Sequence, residues 1–268
     1  MQVIGFCRFS YPSEGGFQVE HGSIDERRAY LYAPKRIEQR FRLFEAVMLP
    51  GLRGQTDADF SLLILVDDAL PAPLLERLYA LVRDFPQAVI VARPPGPHRA
   101  VCKEVLNSAR TNPDEPCIQF RMDDDDTVAH DFVSRVRQDA RTLNALCATN
   151  RLVAIDYNRG VLLRVAEGAK LRTEQCVLAY YPMAMAVVVQ GGVKQSIMNF
   201  AHGKVAQFMP TVTFTDTVMY VRGLNDFNDS RQRRGIRALD PPVADAPGLA
   251  LLKNRFGITP DQVARVFS

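Results

Sequence analysis

The chain has 268 residues, of which 47% are hydrophobic, and its formal net charge is +3. This length and composition are those of a soluble globular protein with one large α/β domain or two small ones. The charge is too small to indicate nucleic acid as a partner, and no run approaches the roughly 18 apolar residues of a membrane-spanning helix.

The first half of the chain alternates short apolar runs with helical patterns. These patterns predict strands at 2–9, 60–66, 88–92 and 117–120, and helices at 35–49, 71–85, 99–110 and 129–147. Pro50-Gly51 is predicted to end the first of these helices. Strands that alternate with helices indicate βαβ units and a mostly parallel sheet that helices cover on both faces.

The second half of the chain has a different pattern. It predicts a hairpin at 152–165 around residues 158–160, strands within 177–189 and 215–221, and a helix near 193–201. Residues 240–248 are typical of a linker, and one or two short helices follow them. We therefore expect a single α/β domain with a mixed or antiparallel second half and a C-terminal extension.

Five cysteines are widely spaced and lie mostly in apolar segments: Cys7, Cys102, Cys117, Cys147 and Cys176. No CxxC pair occurs, and the first ten residues lack the basic and apolar regions of a signal peptide. These features predict reduced thiols in the core of a cytoplasmic protein. Peripheral contact with the inner face of a membrane remains compatible with the sequence.

Polar residues stand at the predicted carboxyl ends of the parallel strands. They are Arg8 after the first strand, Asp67 and Asp68 after the second, Arg93 after the third, and Asp123 to Asp126 after the fourth. Ligands of open parallel sheets bind outside these ends. Arginines there can meet phosphates and carboxylates can hold Mg²⁺ or Mn²⁺, so the rim suits an anionic ligand carried with a divalent cation.

The four consecutive aspartates need not share one role. In an extended segment, Asp123 and Asp125 face one side and Asp124 and Asp126 the other. An Asp-x-Asp pair supplies two hard oxygen ligands for a divalent metal. A helix predicted to begin just after the run offers another role, with Asp126 or Thr127 as its N-cap.

Three short motifs resemble a known group of enzymes. The order strand, Asp-Asp, helix, strand, helix, strand and "MDDDD" resembles the nucleotide-sugar glycosyltransferases of the GT-A fold. More narrowly, "FCRFSY" at 6–11, "RMDDDD" at 121–126 and "NDFNDS" at 225–230 resemble the bacterial rhamnosyltransferase family.

The resemblance covers residues 1–235 and implies a division of labour within them. Residues 1–150 would bind the nucleotide sugar, residues 151–235 would bind the acceptor, and residues 236–268 would form the C-terminal extension. The implied reaction moves a sugar, rhamnose in the family's name, from a nucleoside diphosphate donor to a hydroxyl of a glycan or another acceptor. Synthesis of a surface polysaccharide would be its setting.

The resemblance also implies roles for single acids. Asp67 or Asp68 would contact the nucleobase or ribose of the donor. Asp123, or Asp124 if the register shifts by one, would approach the ribose, and Asp123 and Asp125 would hold Mn²⁺ or Mg²⁺.

Many GT-A enzymes add a C-terminal histidine to the metal, but this chain has Leu224 and Asn225 where that histidine is expected. Asn228, Asp229 or water is then left as the further ligand.

Basic residues near the same rim are predicted to bind the donor phosphates. Arg8 would help the metal to neutralise the departing diphosphate. Arg93 ends a strand, and Arg99 stands with His98 near a predicted helix start, where a phosphate contact competes with a solvated loop role. The short basic run at 231–237 is typical of a solvated face, with an anionic lipid or phosphorylated ligand as the alternative.

An inverting transferase also needs a base for the proton of the acceptor hydroxyl. The candidates from the second half are Asp156, His202 and Asp216. Each has a structural alternative: a turn for Asp156, a helix C-cap for His202 and a strand-edge acid for Asp216.

Two other functions stay open at this point. Paired aspartates also serve metal-dependent phosphoryl or nucleotidyl transfer, although no P-loop is present. A non-catalytic protein that binds a sugar nucleotide is the other. The spacing of an EF-hand calcium loop is absent from 123–134.

Overall fold

The computed structural model describes residues 1–17, 21–228 and 239–268. Strands in these ranges are β1 (Gln2–Arg8), β2 (Ser61–Asp67), β3 (Ala88–Arg93), β4 (Cys117–Asp123), β5 (Thr127–Val128), β6 (Leu152–Val165), β7 (Leu171–Val177), β8 (Met185–Val189) and β9 (Thr211–Gly223). All of them belong to one sheet with the order β3-β2-β1-β4-β8-β6-β9-β5, and β7 pairs with β6 beside this path.

Helices in the described ranges are α1 (Ile24–Leu31), α2 (Pro34–Leu43), α3 (Leu49–Arg53), α4 (Ala72–Val82), α5 (His98–Ser108), α6 (Phe132–Thr142), α7 (Asn144–Thr149), α8 (Ala246–Phe256) and α9 (Pro260–Phe267). A π-helical turn, Phe44–Met48, joins α2 to α3. Short 3₁₀ turns are Glu167–Ala169, Pro182–Ala184, Ile197–Asn199 and His202–Gln207. No helix in the described part of the chain is long and apolar enough to span a membrane.

The strand directions confirm the predicted α/β class. Strands β1 to β4 pair in parallel, whereas β8 runs antiparallel to both β4 and β6. Strand β9 then pairs in parallel with β6. The first half is therefore parallel and the second half mixed, within one continuous sheet.

Helices cover both faces of this sheet because the side chains of each strand alternate between them. In β1, Val3 and Cys7 belong to the apolar cluster on one face, and Ile4 and Phe6 to the cluster on the other. The first cluster includes residues of α2, α4, α6, α8 and α9, and the second includes residues of α5.

The predicted hairpin at 152–165 is wrong. These residues form one strand, β6, because its two ends pair with different partners: Leu152–Asp156 with β8 and Arg159–Val165 with β7. The turn-like residues fall where the register with β9 shifts, between Tyr157 and Gly160. A local irregularity of pairing thus absorbs residues that would otherwise form a turn.

Two helix boundaries also differ from the prediction. Pro50-Gly51 does not end the helix, since Pro50 lies in the first turn of α3, directly after the π-helical turn, and the chain stays helical to Arg53. At the other site, Thr127 and Val128 pair with β9 as β5, and α6 begins only after Asp131. Neither Asp126 nor Thr127 is therefore an N-cap.

The C-terminal extension is packed into the body of the protein. Leu252, Phe256, Ile258 and Val263 are fully buried in the first apolar cluster. Residues of the predicted linker lie against the edge of β7, where Thr173 donates to the carbonyl oxygen of Pro242.

Candidate active site

A pocket opens at the carboxyl ends of β1 and β4. Its lining combines residues from these strand ends with the end of β9 and the turns at 182–184 and 202–207. Arg8 and Asp123 occupy neighbouring positions of the β1–β4 ladder and both line the pocket. The site thus lies at the sheet edge where the sequence predicts a ligand.

The four aspartates all line this pocket but differ in exposure and partners. The side chain of Asp123 is 59% exposed and lies 3.9 Å from Arg8. Asp124 is buried and accepts a hydrogen bond from Arg40 at 2.8 Å. Asp126 is buried and accepts from the backbone N–H of Gly223 at 3.0 Å.

Asp125 is enclosed by hydrogen-bond donors. Its Oδ2 accepts from Nδ2 of Asn225 at 2.5 Å and Nδ2 of Asn228 at 2.7 Å, and lies 3.1 Å from a guanidinium nitrogen of Arg40. The side chain is only 2% exposed. Asp125 therefore fastens the segment after β9 to the acidic run.

The backbone at the end of β9 packs directly against the backbone of the acidic run. A Cβ atom placed on Gly223 would lie 2.1 Å from the backbone oxygen of Asp125. Only a residue without a side chain fits there, which explains how the N–H of Gly223 reaches the Asp126 carboxylate.

Burial and mutual repulsion change the acidity of the run. Burial raises the pKa of Asp124 to about 6 against the attraction of Arg40, and the charge of Asp125 adds to the rise. Burial, with Asp125 and Asp123 adding to it, raises the pKa of Asp126 well above its usual range. The pocket walls remove part of the water around Asp123, which acts in the same direction, but the charges of Arg8 and Arg121 outweigh this effect and lower its pKa. The two arginines thus keep Asp123 ionised.

Among the described residues, the pocket is lined by five arginines: Arg8, Arg36, Arg40, Arg121 and Arg222. Arg121 has a weak acceptor for one of its guanidinium nitrogens and none for another within the described part of the chain. Its Nη1 lies 3.4 Å from the sulfur of Met198, a weak acceptor, and its buried Nε has no acceptor there. Burial lowers the pKa of Arg121 to about 10, and nearby Arg8 contributes.

His202 lines the same pocket and has a fixed orientation. Its Nδ1 lies 2.6 Å from the carbonyl oxygen of Tyr180, so Nδ1 carries the hydrogen and Nε2 is left to accept a proton. Burial lowers the pKa of His202, which favours the neutral ring. His202 begins a 3₁₀ turn, so its predicted alternative as a helix C-cap does not hold.

Asp156 is linked to His202 through the backbone of Tyr180, which both residues contact. One of its carboxylate oxygens accepts from the backbone N–H of Tyr180 at 3.0 Å, and the other accepts from the hydroxyl of Thr213 at 3.0 Å. Asp156 is fully buried and is not among the residues that line the pocket. In this position it can orient the Tyr180 carbonyl but cannot meet an acceptor.

Asp216, the third predicted base, lies elsewhere. It is exposed and forms two hydrogen bonds with Arg135, at 2.8 and 3.2 Å. The bonds with Arg135 outweigh its slight burial and lower its pKa. Of the three predicted bases, the described structure brings only His202 to the pocket.

Four predicted donor-binding residues also lie outside the pocket lining: Asp67, Asp68, Arg93 and Arg99. Asp67 is buried and binds Arg28 at 2.7 Å and the hydroxyl of Tyr32 at 2.8 Å, so it anchors α1. Arg93 lies 3.4 Å from Glu104. Neither Asp67 nor Asp68 lines this pocket, and the nucleotide contact predicted for one of them stays a prediction.

Sequence reasoning missed several pocket residues. Arg36 and Arg40 stand four apart on α2 and share its buried face with Ile37 and Phe41. The sequence feature that could have revealed them is a pair of charged residues on the apolar face of a predicted helix. The signal for Arg121 was a charge inside an otherwise apolar strand. Asp229 and the basic run at 231–237 lie outside the described residues.

The donor set around Asp125 does not fit a divalent metal. A metal ion binds oxygen atoms, whereas Asp125 Oδ2 faces N–H groups of two amides and a guanidinium. Within the described ranges, no three His, Cys, Asp or Glu side chains are grouped so as to hold a metal. The predicted Mn²⁺ or Mg²⁺ stays a prediction.

Comparison with known proteins gives one family match. The family model described as "Putative rhamnosyl transferase" matches residues 2–237. A search of curated proteins finds no match.

Among solved structures, the chain is similar to S. aureus TarS 1–349, with 8% identity and a TM-score of 0.44 over 83% of this chain and 60% of that chain. It is also similar to TarS 1–349 in complex with UDP-GlcNAc, with 9% identity and a TM-score of 0.43 over 87% of this chain and 61% of that chain. The chain thus spans about 60% of the length of the TarS chains.

The family match covers all of the residues that carry the motifs "FCRFSY", "RMDDDD" and "NDFNDS". It confirms the resemblance inferred from those motifs. The chain belongs to this rhamnosyl transferase family.

Proposed function

We propose that this protein is a glycosyltransferase, which moves a sugar from a nucleoside diphosphate donor to an acceptor hydroxyl in the pocket at the ends of β1 and β4. The observation that carries the proposal is the pocket itself, where guanidinium groups and an oriented imidazole face one space. The guanidinium groups suit a diphosphate, and the imidazole suits a hydroxyl that must lose its proton.

The reaction follows from the placement of these groups. The bond between the anomeric carbon and the diphosphate oxygen breaks, and its electron pair leaves with the diphosphate. The acceptor oxygen forms the new bond to the anomeric carbon, and its proton passes to Nε2 of His202. The transition state resembles an oxocarbenium ion, as in glycoside hydrolysis, so developing negative charge on the leaving group needs nearby cations.

His202 is the base that the geometry favours among the three predicted candidates. It lines the pocket, its tautomer is set by Tyr180, and its lowered pKa keeps it neutral. Asp156 does not line the pocket and binds the backbone N–H of Tyr180. Asp216 is hydrogen-bonded to Arg135.

The family description supports rhamnose as the sugar. We extend the proposal to a glycan hydroxyl as acceptor, in the synthesis of a surface polysaccharide. The cytoplasmic location and the peripheral contact with a membrane stay predictions from the sequence.

The proposal is tested with a panel of nucleoside diphosphates and their sugars, including uridine, guanosine and deoxythymidine forms. At least one should raise the melting temperature, and its sugar form should release nucleoside diphosphate faster when an acceptor is added. Binding without release would indicate a non-catalytic sugar-nucleotide binder. Absence of both binding and release across the panel would contradict the proposed function.

A further inference from the structure

The amide groups beside Asp125 are fixed so that only N–H groups face it. Oδ1 of Asn225 accepts from the backbone N–H of Phe227 at 2.9 Å, and Oδ1 of Asn228 accepts from the backbone N–H of Asn225 at 2.5 Å. Rotating either amide to offer its oxygen to a metal would break its bond to the backbone and its bond to Asp125. The network therefore assigns the amide nitrogens to Asp125.

A cation already lies between the two buried acids. One guanidinium nitrogen of Arg40 lies 2.8 Å from Asp124 and 3.1 Å from Asp125. A divalent ion on Asp125 would stand beside this positive charge in a buried place, where repulsion between like charges is strong. The guanidinium group of Arg40 thus occupies the position beside Asp125 where the predicted metal would bind.

Arg8 and Arg121 form a second cationic group on the open side of Asp123. In the β1–β4 ladder, Arg8 pairs with Asp123 and Phe6 pairs with Arg121, so both arginines project from the same face of neighbouring strands. Within the described residues, Nη1 of Arg8 and Nε of Arg121 are buried without an acceptor. The carboxylate beside Arg8 is 3.9 Å away and largely exposed.

Two guanidinium groups with one exposed carboxylate leave an excess of positive charge and unsatisfied N–H donors at the pocket floor. Such donors are costly when buried, and a multivalent anion would satisfy them. A diphosphate offers several oxygens to two neighbouring guanidinium groups, which bind phosphate strongly.

We propose that Arg8 and Arg121, rather than a divalent metal at Asp125, neutralise the diphosphate of the donor. Asp123 lies beside Arg8, and Asp125 binds the two amides of the segment after β9. The inference rests on the proposed function for the identity of the anion.

Calorimetric titration of the full chain tests this inference, with inorganic pyrophosphate and uridine diphosphate as probes. At least one probe should bind in the presence of EDTA, and Mn²⁺ or Mg²⁺ should change its affinity by no more than about 2-fold. Arg121→Met and Arg8→Gln should each weaken binding by roughly 10-fold or more, as expected for the loss of a charged hydrogen bond. Arg77→Gln is the matched control, because Arg77 binds Glu38 on the outside of α2 and does not line the pocket.

A second measurement uses Mn²⁺ alone and does not depend on the nucleotide. Electron paramagnetic resonance should show the signal of free Mn²⁺ undiminished by the protein. Stoichiometric Mn²⁺ binding that Asp125→Asn abolishes would overturn the inference, whether or not the arginine variants fold.

The outcomes separate the two proposals. Binding that is lost in EDTA and restored by Mn²⁺ would overturn the inference and leave the proposed function standing. Failure of pyrophosphate, uridine diphosphate and every other nucleotide to bind with or without metal would overturn both.

Discussion

His202 depends on a strained residue for its orientation. The carbonyl oxygen that it contacts belongs to Tyr180, whose φ of 63° lies in the left-handed region. A non-glycine residue there carries strain of about 1–3 kcal/mol, which surrounding bonds must offset. Asp156 supplies such a bond through the Tyr180 N–H. Asp156 is therefore a positioning residue for His202.

His202→Gln should lower kcat by roughly 10²–10⁴-fold, because the acceptor would lose its general base. Donor affinity should stay close to that of the wild type, since in our proposal it is the arginines that bind the diphosphate. Steady-state kinetics and calorimetry with the donor separate the two effects. If Asp216→Asn lost this activity while His202→Gln kept it, the choice of base would be wrong.

The titration of His202 should occur below the ordinary histidine pKa of 6.5. Burial lowers its pKa, so the ring stays neutral, and able to accept a proton, until the pH falls through that lowered value. Burial of the neutral form also makes folding less favourable as the pH falls from 6.5 through the lowered pKa. The ring-proton NMR signals of His202, identified by their absence in His202→Gln, report this pKa. A midpoint above 6.5 would contradict the prediction.

Some of the predicted site residues lie at the pocket and others do not, for one physical reason. Arg8 and Asp123 end neighbouring strands, and neighbouring strand ends meet. Asp67 and Arg93 also end strands, but helices elsewhere in the chain supply their partners, Arg28 and Glu104. A predicted strand end locates a residue at the edge of the sheet, but it does not show which residues its side chain will contact.

At the scale of elements, the site depends on how closely β9 approaches the acidic run. Gly223 permits this approach, and Asn225 and Asn228 complete it by binding Asp125. Sequence patterns predicted a strand at 215–221 but could not show which element it would meet, because β9 pairs with β6 and β5.

Gly223→Ala should destabilise the protein by about 1–3 kcal/mol, because the added methyl group would overlap the backbone oxygen of Asp125. Donor binding should weaken as well, since the acidic run must shift. Gly203→Ala is the matched control: its added Cβ meets nothing within 4 Å. Urea denaturation measures both variants, and equal stabilities would contradict the prediction.

The helices also show that local sequence patterns do not reveal tertiary contacts. Helix α2, the π-turn and α3 continue past Pro50 because the tertiary contacts of Phe44, Val47 and Leu52 bury that whole stretch. Local breaker signals predicted an end there. Packing against the sheet outweighed them, as it did for the turn-like residues inside β6.

At the scale of the whole molecule, the family match ends at residue 237 but the folded structure does not. Helices α8 and α9 bury Leu252, Phe256 and Val263 in the main core. Arg255 binds Asp131 and the carbonyl oxygen of Val218, and Arg42 binds the carbonyl oxygen of Phe267. The C-terminal helices are thus tied to α2, β9 and the start of α6.

A chain that ends at residue 238 should be unfolded or aggregated, because it would expose the core that α8 and α9 cover. Within the full chain, Phe256→Ala should cost about 3–5 kcal/mol. Circular dichroism and urea denaturation measure both. A shortened chain with the melting temperature of the full chain would show that the extension is dispensable.

The strand order has a consequence for the protein during its synthesis. Strand β4 pairs with β1 on one side, but its other neighbour is β8, which the ribosome makes only after β6 and β7. Until Met185–Val189 emerge, the nascent chain carries an apolar strand with an open edge, the kind of edge that pairs with other chains. Chaperone binding to ribosome-bound chains should therefore persist through the middle of translation and end when β8 closes the sheet.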